Sequence, residues 1–228
     1  MKKPRKISNT ITAVLFDFGG VLAEEGFRNG LRALASEQGL DTNTIVEKGM
    51  LAVYESGFVL GTGNASDFWT LMRERTGLKG NDNTLSHQIK NGFRIRPGML
   101  QLVNELRKKG YLTGILSDQT YWLDELDEIY HFSDAFSHVY NSYYLGKGKR
   151  DSSLFQDVAN DLGIPPGSIL FVDDDSENVK RAEKSGFKAI HFISEASFRD
   201  DLEAMLLSNS SQTVLNKDQM QNENQLVR

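Results

Sequence analysis

Two short apolar segments that each end in aspartate constrain the fold of this chain more than any other feature. Residues 13–17 read Ala-Val-Leu-Phe-Asp, and residues 169–175 read Ile-Leu-Phe-Val-Asp-Asp-Asp. Four apolar residues bounded by turn residues are typical of a strand that is buried on both faces of a parallel sheet. Because ligands bind beyond the carboxyl ends of such strands, we expect the two acidic clusters to meet at one site. Like charges held close together require a cation, so the pattern predicts a magnesium-dependent phosphoryl-transfer centre.

Strand-like and helix-like segments alternate along most of the chain. Strands are predicted at residues 12–17, 111–117, 137–143, 168–173 and 188–193. Pro97 suits the first turn of one helix, and Asp151 or Ser152 can cap a second. Ser176 can cap a third. This alternation predicts an α/β fold, in which a Rossmann-like parallel sheet carries helices on both faces.

One interval departs from this alternation. Residues 25–95 contain no good strand and show helical spacing punctuated by glycines. A helical insertion directly after the first strand would lie above the carboxyl edge of the sheet, where a lid over an active site belongs. A bundle that only adds core is the competing interpretation. We predict an α/β core formed by residues 10–24 and 96–206, a helical cap formed by residues 25–95, and a disordered tail at residues 207–228.

The composition limits the partners and the compartment. The 228 residues carry a formal net charge of −5, which disfavours a nucleic-acid partner. The chain contains no cysteine, which excludes disulfides and thiolate chemistry and suits a reducing compartment. The basic residues at the start are followed by polar ones, and no segment approaches the roughly 20 apolar residues of a membrane helix. We expect a cytoplasmic protein without a membrane partner, and the oligomeric state stays open.

Asp17 is the candidate nucleophile. A carboxylate that attacks phosphorus forms an aspartyl-phosphate, which divides one difficult hydrolysis into two easier steps. Gly19 and Gly20 follow it and allow a tight turn in which backbone amides approach a phosphate closely. A helix-capping aspartate after a strand is the competing interpretation.

The second acidic cluster supplies candidate metal ligands. Magnesium prefers oxygen ligands, usually one or two carboxylates together with waters and phosphate oxygens. Asp174 with Asp17 can hold the ion, while Asp173 orients a ligand or water from behind. Adjacent aspartates can also simply cap a helix, and we expect Asp175 to do only that.

Ser117, Asp118 and one of two lysines are further candidates for binding phosphate. Ser117 and Asp118 end the second strand, where the Ser117 hydroxyl can donate to a phosphoryl oxygen beside Asp17. A phosphoryl site also needs a fixed cation, and Lys147 and Lys149 both precede a helix. A solvated basic loop is the competing interpretation, and the pattern alone barely separates the two lysines.

Together these motifs resemble those of the haloacid dehalogenase superfamily, whose four motifs fall in this order and at these spacings. The similarity runs from Ile11 to Ala204 and is closest to small phosphatases with an inserted helical cap, which include the N-terminal phosphatase domain of soluble epoxide hydrolases. In that subgroup Pro-Asp-Pro usually follows the lysine, and an aromatic residue stands six positions after it. Lys149 with Phe155 matches this register although the prolines are absent, so the resemblance favours Lys149 over Lys147.

The resemblance implies that Asp174 is the direct metal ligand and that Gly19 offers its backbone carbonyl to the metal. Phosphatases of this family usually carry a second Asp, the general acid and base, at the position that Gly19 occupies here. Glycine cannot protonate a leaving oxygen, a role typically worth about 10²–10⁴-fold in rate. We therefore expect aryl phosphates to be cleaved faster than alkyl phosphates, unless another group, for example on the cap, supplies the proton.

Three functions are compatible with these residues. The first is a magnesium-dependent phosphatase of a small phosphorylated metabolite, acting through an aspartyl-phosphate on Asp17. The second is a metal-independent 2-haloacid dehalogenase, which the intact Asp173–Asp174 pair disfavours, and the third is a catalytically weak binding module. The side chains expected to select a substrate, unless they belong to the core, are Phe27, Arg28, Tyr54, Phe58, Trp69, Tyr121 and Trp122.

Overall fold

The computed structural model describes residues 10–206, and a parallel five-stranded sheet forms their centre. The strands are β1 (Ala13–Phe16), β2 (Leu112–Ser117), β3 (His138–Asn141), β4 (Ile169–Asp173) and β5 (Lys188–His191). Their order across the sheet is β3-β2-β1-β4-β5, and every neighbouring pair is parallel. The predicted strands and the α/β fold class are confirmed.

The register of the sheet brings the strand ends together. β1 lies between β2 and β4, with Phe16 opposite Ile115 on one side and Val172 on the other. The residue after Phe16 is Asp17, and its backbone N–H donates to Val172 O at 2.8 Å. The carboxyl ends of the three central strands therefore share one edge of the sheet, as the two apolar segments that end in aspartate predict.

Helices cover both faces of the sheet. They are α1 (Gly26–Glu37), α2 (Thr42–Glu55), α3 (Ala65–Thr76), α4 (Asp82–Lys90), α5 (Pro97–Lys108), α6 (Trp122–Tyr130), α7 (Ser142–Leu145), α8 (Ser153–Leu162) and α9 (Ser176–Lys184). A last helical segment covers residues 195–206. Val14 and Phe16 of β1 pack in one buried cluster with α5 and α6, while Leu15 packs in a second cluster with α8 and α9. This alternation is what a strand buried on both faces requires.

The segment between β1 and α5 contains four α-helices and no strand, as its spacing predicts. Its four helices pack in the pairs α1–α2, α2–α3, α3–α4 and α1–α4. Their apolar side chains, such as Phe68 and Met72, belong to the same buried cluster as Phe16 of the sheet and Met99 of α5. We call residues 25–95 the helical insertion, and their assignment as a separate cap domain stays a prediction.

Helix starts agree with the sequence in two cases and differ in one. Pro97 is the first residue of α5, as predicted. At α8 the N-cap position is Ser152, but the side chain that accepts a backbone N–H there is that of Asp151, from Ser153. The predicted cap of α9 by Ser176 is wrong, because the Asp175 carboxylate accepts the Glu177 N–H and Ser176 is already helical.

Two expectations from the sequence concern the termini and the membrane. The tail predicted to be disordered, residues 207–228, lies outside the described residues. Between residues 10 and 206, no helix has both the length and the apolar character needed to cross a bilayer.

Candidate active site

Asp17 stands at the carboxyl end of β1 and is almost completely buried. Its Oδ1 accepts hydrogen bonds from the Ser117 hydroxyl at 2.5 Å and from the Phe18 N–H at 2.8 Å. Ser117 is the last residue of β2, the neighbouring strand, so the parallel pairing places this hydroxyl beside the carboxylate. The structure thus brings two of the predicted site residues into direct contact.

Lys149 is buried between two carboxylates of the sheet edge. Its Nζ lies 3.0 Å from Asp17 Oδ1 and 2.6 Å from Asp173 Oδ2, and only 2% of its side chain is exposed. Burial alone lowers the pKa of Lys149, but the charges of Asp17 and Asp173 outweigh it, and the pKa is raised. Lys147 instead pairs with Asp157 at 2.5 Å on the surface. Of the two lysines that the sequence pattern barely distinguishes, Lys149 is therefore the one that contacts the candidate nucleophile.

Asp173 is held from several sides and has no exposed surface. Besides the Lys149 ammonium, it accepts the Asp175 N–H at 2.7 Å, and its oxygens lie 3.2 and 3.3 Å from Asn178 Nδ2. These contacts fix its carboxylate behind the sheet edge, in the position expected of a residue that orients others.

Asp17, Asp173 and Asp174 form a group whose ligand oxygens all lie within 4.8 Å of one another. Burial, together with the charges of Asp173 and Asp174, raises the pKa of Asp17 to about 7, although Lys149 and Ser117 oppose the shift. Burial and the neighbouring Asp173 also raise the pKa of Asp174. The single positive charge of Lys149 does not neutralise the three carboxylates of Asp17, Asp173 and Asp174, so the charge of the site favours binding of a further cation.

The two glycines after Asp17 differ in their conformational demands. Gly20 has a φ of +85°, and a Cβ there would lie 2.2 Å from Asp174 Oδ2. A Cβ at Gly19 would meet Gln119 Nε2 at 3.4 Å and the Phe93 ring at 3.5 Å, which are ordinary contacts. Gly20 therefore lets the backbone approach the Asp174 carboxylate, whereas position 19 has room for a side chain.

Asp118 links the helical insertion to the loop that carries Lys149. Its Oδ2 accepts a hydrogen bond from the Tyr54 hydroxyl at 2.6 Å, and its Oδ1 accepts the Lys149 N–H at 2.8 Å. The Arg150 guanidinium lies over the Tyr54 ring, 3.6 Å from its centroid. Burial and the Asp118 charge raise the pKa of Tyr54, so its hydroxyl stays protonated and keeps donating. The Asp118 carboxylate is thus occupied by two donors, and the phosphate-binding role of this residue stays a prediction.

A cavity of about 270 Å³ adjoins Asp17 and is lined by both parts of the chain. The helical insertion contributes Glu25, Phe27, Arg28, Met50, Val53, Tyr54 and Val59. Trp122 of α6 also lines it, whereas Phe58 and Trp69 are fully buried in the core. Tyr121 packs on Phe58 with ring centroids 5.4 Å apart. Of the side chains predicted to select a substrate, four line the cavity: Phe27, Arg28, Tyr54 and Trp122.

Sequence reasoning missed two features of this site. Glu25 lines the cavity, and the Tyr54–Asp118 hydrogen bond connects the insertion to the sheet edge. Glu25 carries one weak local signal, because acidic residues are enriched near the first turn of a helix. The Tyr54–Asp118 pair carries none, because its partners are 64 residues apart in the chain.

Solved structures show the same fold. A haloacid dehalogenase-family enzyme from Bacteroides thetaiotaomicron, solved with magnesium and inorganic phosphate, superposes with a TM-score of 0.65 at 24% identity, covering 81% of this chain and 96% of the other. The L-2-haloacid dehalogenase of Xanthobacter autotrophicus gives a TM-score of 0.59 at 22% identity, covering 86% and 83%.

Curated relatives match by sequence over different lengths. The chain is 26% identical to the D-ribitol-5-phosphate phosphatase of Bacteroides thetaiotaomicron, over 87% of this chain and 100% of that protein. It is 25% identical to flavin mononucleotide hydrolase 1 of Arabidopsis thaliana, over 52% of this chain and 48% of that protein. The rat bifunctional epoxide hydrolase 2 is 30% identical over 46% of this chain, which spans only 20% of that longer protein.

The match to a family model covers four of the five strands, the helical insertion and the residues that surround Asp17. That model describes haloacid dehalogenase-like hydrolases, and it aligns with residues 11–186. The resemblance predicted from the four motifs is confirmed, and the chain belongs to the haloacid dehalogenase-like hydrolase family.

Proposed function

We propose that this hydrolase is a magnesium-dependent phosphomonoesterase that forms an aspartyl-phosphate on Asp17. The observation that carries the proposal is the position of Asp17, which is buried against the Lys149 ammonium and beside the Asp173–Asp174 pair. A nucleophilic carboxylate, a fixed cation and a second acidic cluster are the groups that phosphoryl transfer through an enzyme-bound phosphate needs.

The acidic cluster fits a magnesium ion. Asp173 is occupied by Lys149 and by the Asp175 N–H, which leaves Asp17 and Asp174 as the carboxylates for the ion. Two carboxylates, completed by a backbone carbonyl such as that of Gly19, by water and by phosphate, suit the oxygen preference of magnesium. When bound, the ion supplies positive charge that neutralises the phosphate and orients it.

The contacts of Asp17 assign separate tasks to its two oxygens. All three donors that the structure gives this carboxylate, from Ser117, Phe18 and Lys149, meet Oδ1. Oδ2 is then the oxygen available to attack phosphorus, while the donors fix the orientation of the carboxylate. The Lys149 ammonium and the Ser117 hydroxyl also lie where they can contact the transferred phosphoryl group.

The relatives support a small phosphorylated substrate. One relative, which the match covers from end to end, is a D-ribitol-5-phosphate phosphatase. Another relative is a flavin mononucleotide hydrolase. A cavity of about 270 Å³ beside Asp17 suits a metabolite of modest size. Both arguments leave the identity of the substrate to experiment.

The test is phosphate release from p-nitrophenyl phosphate with magnesium and with a chelator, comparing the wild type with Asp17→Asn. We expect turnover that requires both the metal and Asp17. Asn keeps the shape of the side chain, so loss of activity in folded Asp17→Asn protein reports the chemistry of the carboxylate. Folded wild type without metal-dependent turnover would contradict the proposal, and metal-free release of chloride from 2-chloropropionate would replace it with dehalogenation.

A further inference from the structure

The carboxylates around the cavity are candidates for the proton transfer that Gly19 cannot perform. Besides the nucleophile and the proposed metal ligand Asp174, the cavity is lined by Glu25, Asp118, Asp175 and Glu177. We propose that Glu25 is the general acid and base of the reaction, an inference that rests on the proposed phosphatase function. It would donate the proton to the leaving oxygen and later accept one from the attacking water.

The other three carboxylates are occupied by contacts of their own. Asp118 accepts hydrogen bonds from the insertion and from the lysine loop. Asp175 caps α9 by accepting the Glu177 N–H at 2.8 Å. Glu177 pairs with Lys180 at 2.6 Å on an exposed turn of α9. Both oxygens of Asp118 are therefore occupied, and Asp175 and Glu177 are exposed to solvent, whereas Glu25 is half-buried.

Glu25 differs from them in its surroundings. It is the N-cap residue of α1 and lines the cavity, and its Oε2 accepts the Arg28 N–H at 2.9 Å. Among the described residues, its Oε1 has no hydrogen-bond partner. The side chain is half-buried, and this burial, with a smaller contribution from the Asp174 charge, raises the pKa of Glu25, although the charge and the N–H of Arg28 oppose the shift. A carboxyl group with a raised pKa is better suited to carry the proton that a leaving group needs.

The backbone around Glu25 is held by residues 93–95, and the Arg28 N–H holds its carboxyl group. The Glu24 N–H donates to Arg94 O at 2.8 Å, and Ala23 forms a bridge with Ile95. The next residue, Gly26, packs so closely on the Phe93 ring that a Cβ would lie 2.2 Å from it. Groups that transfer protons must be held in this way, because efficiency depends on placement as well as pKa.

The proton balance of the two steps is complete. In the first step Asp17 attacks phosphorus, the bond to the leaving oxygen breaks, and that oxygen takes the Glu25 proton and departs as an alcohol. In the second step water attacks the phosphorus of the aspartyl-phosphate and gives its proton to the Glu25 carboxylate, while the bond to Asp17 breaks. Inorganic phosphate leaves, and both side chains return to their starting states.

The test is a series of substituted phenyl phosphates, from p-nitrophenyl to p-methoxyphenyl, assayed with magnesium on the wild type and on Glu25→Gln. These substrates have similar shapes but leaving groups of different basicity. Gln retains an oxygen for the Arg28 N–H, and a thermal melt verifies its folding. The constant compared is kcat/KM, which includes only the steps up to departure of the leaving group and therefore reports the acid role of Glu25. We expect the kcat/KM of Glu25→Gln to fall about 10²–10⁴-fold on the most basic leaving group and little on p-nitrophenyl phosphate. A lower kcat on every substrate reports its base role in the second step.

The matched control is Glu24→Gln, which alters the neighbouring glutamate. Glu24 pairs with Arg96 at 3.3 Å and is not part of the cavity lining. It should keep the wild-type dependence on the leaving group. An equal loss of kcat/KM on every substrate, or no change in its dependence on the leaving group, would overturn the role of Glu25. Absence of any turnover by the wild type on p-nitrophenyl phosphate would instead refute the phosphatase function, and this inference with it.

Discussion

Replacing Gly20 by alanine should damage the site more than the same change at Gly19, one residue earlier. At Gly20 the backbone φ is +85°, and the new Cβ would lie 2.2 Å from Asp174 Oδ2. The carboxylate is the end of a flexible side chain, so it relieves the clash by moving away. At Gly19 the nearest atoms would be 3.4 and 3.5 Å from the Cβ, and nothing has to move.

Two magnitudes follow for Gly20→Ala. A left-handed alanine costs about 1–2 kcal/mol, and each kcal/mol lowers the Tm of a domain of this size by about 2–4 °C. We therefore expect a Tm lower by about 2–8 °C. Moving the carboxylate of Asp174 out to 3.4 Å displaces it by about 1 Å, and displacements of that size cost about 10²-fold in rate. The magnesium concentration for half-maximal activity should rise about 10-fold or more.

The assay is a magnesium titration of p-nitrophenyl phosphate turnover, with thermal unfolding measured on the same samples. Gly19→Ala should change the free energy of unfolding by less than about 0.5 kcal/mol and should keep the wild-type magnesium dependence. The reasoning would be refuted if Gly20→Ala retained both the Tm and the magnesium dependence of the wild type. Equal damage from both variants would show that the close approach to Asp174 is not the cause.

Three further predictions concern the lysine loop, the contact of the insertion and the leaving group. Lys149→Met should lower turnover of p-nitrophenyl phosphate about 10²–10³-fold, because the buried cation that pairs with the nucleophile is lost; Lys147→Met, which removes only the pair with Asp157 at the surface, should leave turnover unchanged. Tyr54→Phe removes a hydrogen bond to a charged acceptor, so urea titration should show about 1.5–3 kcal/mol less free energy of unfolding; an unchanged midpoint would contradict this. Adding Gly19→Asp to Glu25→Gln should restore part of the turnover of basic leaving groups, and a double variant no faster than Glu25→Gln would show that position 19 does not reach the leaving oxygen.

The sheet and the residues at its edge could be predicted because they depend on local pattern. An apolar run of four residues followed by aspartate reports both the strand and its end, which places Asp17 and Asp173. Parallel pairing then brings Ser117 to the same edge without further information. Helical spacing likewise predicts the insertion, although it does not say which aromatic side chains face the cavity.

What could not be predicted depends on contacts between distant parts of the chain. Lys147 and Lys149 look alike in sequence, and only the packing of their loop buries one of them between carboxylates. Phe58 and Tyr54 both belong to the insertion, yet one fills the core and the other reaches Asp118. The cap of α9 is a local matter: the expectation that Asp175 caps a helix is confirmed, and it is this carboxylate rather than the Ser176 hydroxyl that accepts the Glu177 N–H.

The buried cluster that joins the helical insertion to one face of the sheet has a consequence for how this protein can change. Phe68 and Met72 share that cluster with Phe16 and Met99, so the apolar interior of the insertion is continuous with that of the sheet. We therefore expect the insertion and the sheet to unfold together, in one transition with a single heat-capacity change. It also cannot be grafted onto a homologue as an interchangeable module. Substrate preference in this lineage would therefore change through single side chains at the cavity wall rather than by exchange of the whole insertion.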